Sequence, residues 1–287
     1  MIRLLIAACL ILFVVHLDAQ EYNIGIRAGQ NYSKKLGPTE VGESIGFATG
    51  IHFALSFQYN IQSNFAVKSE LLYIQNGYKL NFDGDSYYMI RKRNGGVKFE
   101  PGILEKSLDV SIASIQIPVM AIFRLSNKWE IFGGGYLGVI ISPTARGNLR
   151  FQSTDHPEDI FFRQSLDYRY YNDLAGAVAG FGGGGRNAVI LVDGVDEEVP
   201  RLIGAYYQYL DKSGTLFNAF DYGFTGGINY FLNRGFFIGY KIDYGMRDIT
   251  NNRMHRSLVE LNPDNSLKMR NDFERNFTMN FSFGFRF

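Results

Sequence analysis

Eight stretches of this 287-residue chain alternate apolar and polar residues over ten or more positions each. Alternation sends successive side chains to opposite faces, so each stretch reads as a β-strand with one greasy face. The last is the plainest. Across 276–287, Phe277, Met279, Phe281, Phe283, Phe285 and Phe287 interleave with Asn276, Thr278, Asn280, Ser282, Gly284 and Arg286. The same pattern occupies 22–32, 46–59, 65–82, 115–125, 129–142, 220–230 and 236–246. In 65–82 the phase slips near Gly77, where a bulge is expected. Soluble strands average about five or six residues, whereas membrane-spanning strands need roughly nine to eleven. The length counts against a soluble exported sandwich or a lipocalin-like barrel.

The connections carry more information than the strands. Residues 60–64, 126–128 and 233–235 are tight turns. They join strands 2–3, 4–5 and 6–7 of the predicted set. The other connections, roughly 34–45, 84–107, 145–217 and 250–275, are long. Short and long links alternate strictly, so all tight turns fall at one end. That asymmetry predicts an all-β, eight-stranded antiparallel transmembrane barrel with short periplasmic turns and long extracellular loops. No stretch is apolar for long enough to form a membrane-spanning helix.

Composition agrees. The chain holds 25 Phe, 18 Tyr and 32 Gly but only 7 Pro, which favours twisted sheet over helix. The net charge of +1 offers no electrostatic case for nucleic acid. At the start, a basic Arg3 precedes an apolar run over 4–15, and Ala19 provides a small residue before Gln20. This predicts a secretory signal peptide over 1–19 and one barrel domain over 20–287, with 145–217 a large extracellular insertion. Removing 1–19 takes Cys9 with it, so no disulfide holds the exported domain. The expected location is the outer membrane.

If the apolar face meets lipid, alternation sends the other face into the lumen. The expected polar network there is Arg27, His52, Lys68, Glu70, Gln116, Arg124, Asp221, Lys241, Asp243, Arg247 and Arg286. Eight strands leave a lumen that side chains just fill. The network is expected to plug the barrel, and a narrow ion path is the alternative. Tyr59, Phe65, Trp129, Tyr230, Phe236 and Phe287 lie near the tight turns or the C-terminus on the apolar face. They are expected to form an interfacial aromatic girdle.

Several strands resemble one family. The stretch Ile24-Gly25-Ile26-Arg27-Ala28-Gly29-Gln30-Asn31-Tyr32-Ser33 resembles its first strand, a G-hydrophobic-x-x-G-x-N-x-S pattern. Ser69 to Lys79 resembles its E-L-x-Y-x-x-x-G-Y/K third strand. Ile115 to Arg124 is similar to its L-E-I-P-L-L-hydrophobic-K fourth strand, with Gln116 and Arg124 in place of Glu and Lys. Gly133 to Gly138 is similar to its G-P-Y-x-G fifth strand without the Pro. Together these resemble the PorT-like, porin-family outer-membrane β-barrel proteins of Gram-negative bacteria. The resemblance covers the strands, about half of the chain without its signal peptide. It implies an eight-stranded barrel delivered by the outer-membrane assembly machinery, to which Phe287 would present a C-terminal aromatic signal. It also implies a tie to protein secretion, the role attributed to a founding member.

No catalytic, cofactor or metal residue is assigned. The glycine run 180–186 lacks the GK[ST] close of a phosphate cradle and reads as a loop tip. His156 and His255 are expected at the surface of external loops, too dispersed for a metal site. Phe161, Phe162, Tyr168, Tyr170, Tyr171 and Tyr206 to Tyr209 would either lengthen strands above the membrane or add a hairpin, with ten strands the minority outcome. The expected function is therefore non-enzymatic: a binding or assembly role through the external loops, in contact with outer-membrane lipid and a protein partner. A small-solute channel is the alternative. A rim-active hydrolase or acyltransferase is more remote.

Overall fold

The computed structural model describes residues 22–178 and 187–287. The predicted signal peptide and the glycine run 180–186 lie outside the described residues. Among the described residues fourteen strands form, all named here in chain order. Five long ones come first: β1 (Tyr22–Leu36), β2 (Glu43–Asn60), β3 (Phe65–Arg91), β4 (Val97–Arg124) and β5 (Trp129–Ser153). Four shorter ones follow: β6 (Phe161–Arg169), β7 (Ala188–Val192), β8 (Val195–Val199) and β9 (Leu202–Ile203). The last five are β10 (Phe220–Phe231), β11 (Phe236–Gly245), β12 (Arg256–Leu261), β13 (Leu267–Met269) and β14 (Arg275–Arg286).

Eight of these close a ring in the order β1-β2-β3-β4-β5-β10-β11-β14, every neighbour antiparallel. β14 zips onto β1 from Gly25↔Arg286 to Leu36↔Arg275. Closure removes the edge that hydrocarbon would leave unsatisfied. The ten-stranded alternative fails because β6 and β9 attach only to the upper part of the wall, outside the ring. β5 is the fork. Up to Val139 it pairs with β10, and from Thr144 it pairs with β6.

β3, β4 and β5 are 27, 28 and 25 residues long, far beyond what a bilayer requires. The part of β5 that spans lipid runs from Trp129 to Ile141, about 30 Å at a tilt of ~40°. Within it, Ile131, Leu137, Val139 and Ile141 point outward and are exposed, and β4 presents Ile115, Ile117, Val119 and Phe123 in the same way. Above Ser142 the chemistry inverts, with the period of two unbroken on β3 and β4 and shifted by one residue on β5 at a bulge opposite Ala113 and Ser114. There the outward residues are Arg146 and Asn148 on β5, Glu105, Ser107 and Asp109 on β4, and Lys79, Asn81 and Asp83 on β3. The inward ones are Ala145, Leu149, Phe151, Leu104, Leu108, Val110, Tyr78, Leu80 and Phe82, all buried. Water replaces lipid outside the wall, so polar side chains move outward and apolar ones move in.

This inversion corrects the slip expected near Gly77. β3 keeps its pairing with β4 through Gly77↔Ser111, and even-numbered residues stay inward on both sides of it. The irregularity sits across the pair, between Phe47 and His52 of β2, which take five steps against four from Tyr78 to Ile74. Gly50 occupies that bulge, where a Cβ would lie 1.8 Å from the Gln75 carbonyl oxygen. The expected loops 34–45 and 84–107 shrink to 37–42 and 92–96, because the strands continue above the membrane.

The described part of the stretch expected as one insertion over 145–217 is likewise structured. It contains the top of β5, then β6, the β7–β8 hairpin and β9. The hairpin turns on Asp193 and Gly194, with φ of 52° and 78°, an Asp-Gly pair at positive φ as two-residue turns require. In the fourth connection β12 and β13 form a second hairpin. A continuous apolar core fills this extracellular half, with Tyr88, Phe82, Phe151, Phe162, Tyr206 and Phe217 nearly or wholly inaccessible.

Candidate functional site

In the membrane-embedded half the inward polar residues form two charge clusters. Arg27 donates twice to Glu70 Oε2, at 2.7 Å from Nη2 and 3.2 Å from Nε. Lys68 Nζ stands 3.1 Å from the other Glu70 oxygen and 4.8 Å over the Phe132 ring. A carboxylate held between two cations offsets the desolvation of all three. In the second cluster Lys241 Nζ lies 2.9 Å from Asp243 Oδ2, close enough for an ion pair but too bent for a hydrogen bond. Asp243 also accepts from Thr225 Oγ1 at 2.6 Å and from Asn280 Nδ2 at 2.8 Å. Tyr136 donates to Asp221 at 3.1 Å. His52 and Gln116 are buried with them.

Three of the eleven expected lumen residues sit elsewhere. Arg124 and Arg286 are half-buried at the short-turn mouth, where both grip Glu130. Arg247 was expected to follow β11 in phase. β11 stops at Gly245, and Arg247 is half-buried in the turn beyond it. Sequence reading missed Glu130, Tyr136, Thr225 and Asn280 as members. Their polar type and strand parity were the available signals, but only ring closure supplies their partners. Small inward apolar groups, Ala66 with Met120, Ile122 and Phe132 and then Ala54 with Leu72 and Ile74, occupy the lumen between the charges.

At the short-turn end, aromatic rings meet across strand pairs that no tight turn joins. Tyr22 and Tyr59 lie 5.1 Å apart, Phe65 and Phe123 4.9 Å, and Trp129 and Tyr230 4.7 Å. Phe236 stacks on Phe283, and Phe285 meets Phe287. Phe123, Phe283 and Phe285 thus belong to the same ring belt as the six residues singled out from sequence.

A third charged group lies in the extracellular half, where 37–42 meets 246–274. Arg270 donates to Glu43 at 2.8 Å and to the Pro38 carbonyl at 3.0 Å, and it pairs with Asp272. Lys35 pairs with Glu274, which is wholly buried. Burial pushes the Glu43 carboxyl up, but the Glu40 backbone N–H, Lys35 and Arg270 together hold it below its ordinary value. His255, expected at the surface, is instead largely buried, its Nδ1 3.8 Å from Glu274. Burial first, then Lys35 and Arg270, push its imidazolium down to about 3. His156 stays near the surface and contacts Glu100 at 3.0 Å.

The fold also brings His255, Asp272 and Glu274 within 4.8 Å of one another, three potential metal ligands that sequence spacing had kept apart. Lys35 and Arg270 already engage the two carboxylates, so the group reads as an ion-pair cluster pinning two loops to the wall. Beside it lies a cavity of about 80 Å³ walled by Tyr78, Tyr168, Tyr170 and Tyr209.

The chain is similar to several solved structures at low sequence identity. Ail, the attachment invasion locus protein of Yersinia pestis, is 10% identical with a TM-score of 0.36, covering 93% of this chain and 99% of its own. Neisserial surface protein A is 12% identical with a TM-score of 0.37, covering 92% and 97%. OprG of Pseudomonas aeruginosa is 10% identical with a TM-score of 0.36, covering 93% and 96%. No curated protein matches the sequence. The family model for the outer membrane protein beta-barrel domain matches residues 18–251, most of the chain. With a closed ring of eight strands, an apolar outer belt and a polar lumen, the chain belongs to the outer membrane protein beta-barrel domain family.

Proposed function

We propose that the protein is a non-conducting surface anchor that works as a binding or assembly component through its extracellular half. One observation carries this reading: the interior is filled at both levels. Charge clusters and apolar side chains occupy the lumen within the membrane, and a packed aromatic core blocks the bore above it. A wall that rises well past the bilayer and is built around its own core presents a rigid surface to the outside. The sequence resemblance to PorT-like proteins supports the finer reading that the partner belongs to a secretion or assembly complex. Export by the predicted signal peptide and insertion by the outer-membrane assembly machinery are part of the same reading.

Planar-bilayer recording tests the closed interior. The purified barrel is expected to give no large, stable single-channel steps, and such steps would restore the small-solute channel. A photo-crosslinking residue at Val189, exposed on β7, is expected to capture a discrete protein in intact outer membranes. The same residue at lipid-facing Leu137 is expected to capture none. Equal protein capture at both positions would reject the extracellular half as the binding surface.

A further inference from the structure

The cavity inside the extracellular half carries an imbalance that the surface-anchor reading does not use. Its lining contains four cations, Lys35, Lys106, Arg256 and Arg270, against two carboxylates, Glu43 and Glu274. Lys35 is taken by Glu274, and Arg270 by Glu43. That leaves Lys106 and Arg256. Among the described residues neither forms an ion pair, and each instead faces tyrosine rings. Arg256 lies 5.6 Å from the Tyr87 ring and 5.7 Å from that of Tyr209, and Lys106 lies 5.7 Å from Tyr168.

Ring faces relieve only part of the cost of burying a charge. Further polar atoms around the same space lack good hydrogen bonds. These are Arg256 Nη1, both amide atoms of the nearly inaccessible Gln208, His255 Nδ1 and Glu274 Oε2. Buried polar groups are almost always satisfied, so such a concentration around one cavity calls for an occupant.

We infer that this cavity is a binding site for a small oxyanion, held by Arg256 and Lys106 and bounded by Gln208. The charge decides the sign: two unpaired cations favour an anion and disfavour a metal ion. The volume decides the size. About 80 Å³ is roughly half of the ~150 Å³ that admits benzene, which suits phosphate, sulfate or a short carboxylate. Arginine presents a planar fork of donors matched to such oxygens. The inference stands apart from any macromolecular partner at the surface.

Isothermal titration of the detergent-folded chain with sodium phosphate, against chloride at matched ionic strength, tests it. Saturable binding of phosphate is expected. The variant R256Q/K106Q should bind at least tenfold more weakly, and R256K should fall between it and the parent, since the charge is kept but the fork of donors is lost. An acetate arm separates a planar from a tetrahedral ligand, and binding of either supports the site. A parent chain that responds to phosphate and acetate no differently than to chloride overturns it, whatever the variants do. So does unchanged affinity in R256Q/K106Q. Protease resistance of the extracellular half, with heat-modifiable gel mobility for the barrel, shows that each variant is folded. If R256Q unfolds, K106Q alone is expected to weaken binding at least threefold.

Discussion

The two halves of the barrel wall obey one geometry and opposite chemistries. Below Ser142 of β5, Leu137 meets lipid while Glu70 and Lys241 face the lumen. Above it, Arg146 and Asn148 face water while Phe151 and Leu149 face a core. The same strands pass through both regimes without changing register on the β3–β4 seam. The period of two is a property of the backbone, whereas the assignment of apolar and polar to its faces is set by the solvent on each side. The halves should therefore respond differently to the same kind of insult.

The largest effects come from emptying each interior. Glu70→Leu strands Arg27 and Lys68 without their shared carboxylate. Breaking a buried pair in this way costs about 3–5 kcal/mol. Phe151→Ala removes a ring that is wholly buried among Tyr88 and Phe162 and should cost about the same, about 3–5 kcal/mol. The two should part in where the damage appears. Glu70→Leu is expected to lower the temperature of the heat-modifiable gel shift. Phe151→Ala is expected to expose extracellular sites to protease while the gel shift persists. If both variants lose both properties together, the halves are one cooperative unit and the comparison fails.

The next effect concerns the outer surface. Leu137→Arg places a charge in the lipid belt, near the middle of the spanning part of β5, and should cost about 2–4 kcal/mol. Asn148→Arg, eleven residues along the same strand, should shift stability by less than about 0.5 kcal/mol, as exposed polar sites do. Denaturant titration in detergent micelles or lipid vesicles reads both. Equal costs would mean that the boundary at Ser142 is misplaced.

Much of this was legible in the sequence, because the spanning strands repeat one pattern and their links alternate in length. Arg27, Glu70, Lys241 and Asp243 were legible for the same reason, since each opposes an apolar neighbour on its strand. What stayed hidden depends on closure or on the change of solvent. Glu130 lies 156 residues from Arg286, and only the ring brings them together. Gly77 resembled a phase slip because Tyr78, Leu80 and Phe82 are apolar on the face that had been polar below. The loop expected at 84–107 was strand in inverted colours. His255 looked dispersed because its neighbours Lys35 and Glu43 arrive from the other end of the chain.

The smallest effect is a matter of pH, and it should touch one half only. His255 faces Lys35, Arg270, Asp272, Glu43 and Glu274 and keeps its imidazole neutral down to about 3. As pH falls below 6.5, the unfolded segment gains a proton that the folded one refuses, so stability declines through the window from 6.5 to about 3. Glu43, held below its ordinary value, adds a loss of the same sign once pH drops under 4.5. Acid should thus loosen 246–274 and its seat on the wall. Protease cleavage in that region, normalised to an unfolded substrate, is expected to be faster at pH 5.5 than at 7.5. The gel shift that reports the membrane half should hold. His255→Gln removes the upper window and should level the two rates. If cleavage of the parent is the same at both values, the buried imidazole does not hold the loops, and the extracellular half owes its order to its aromatic core alone.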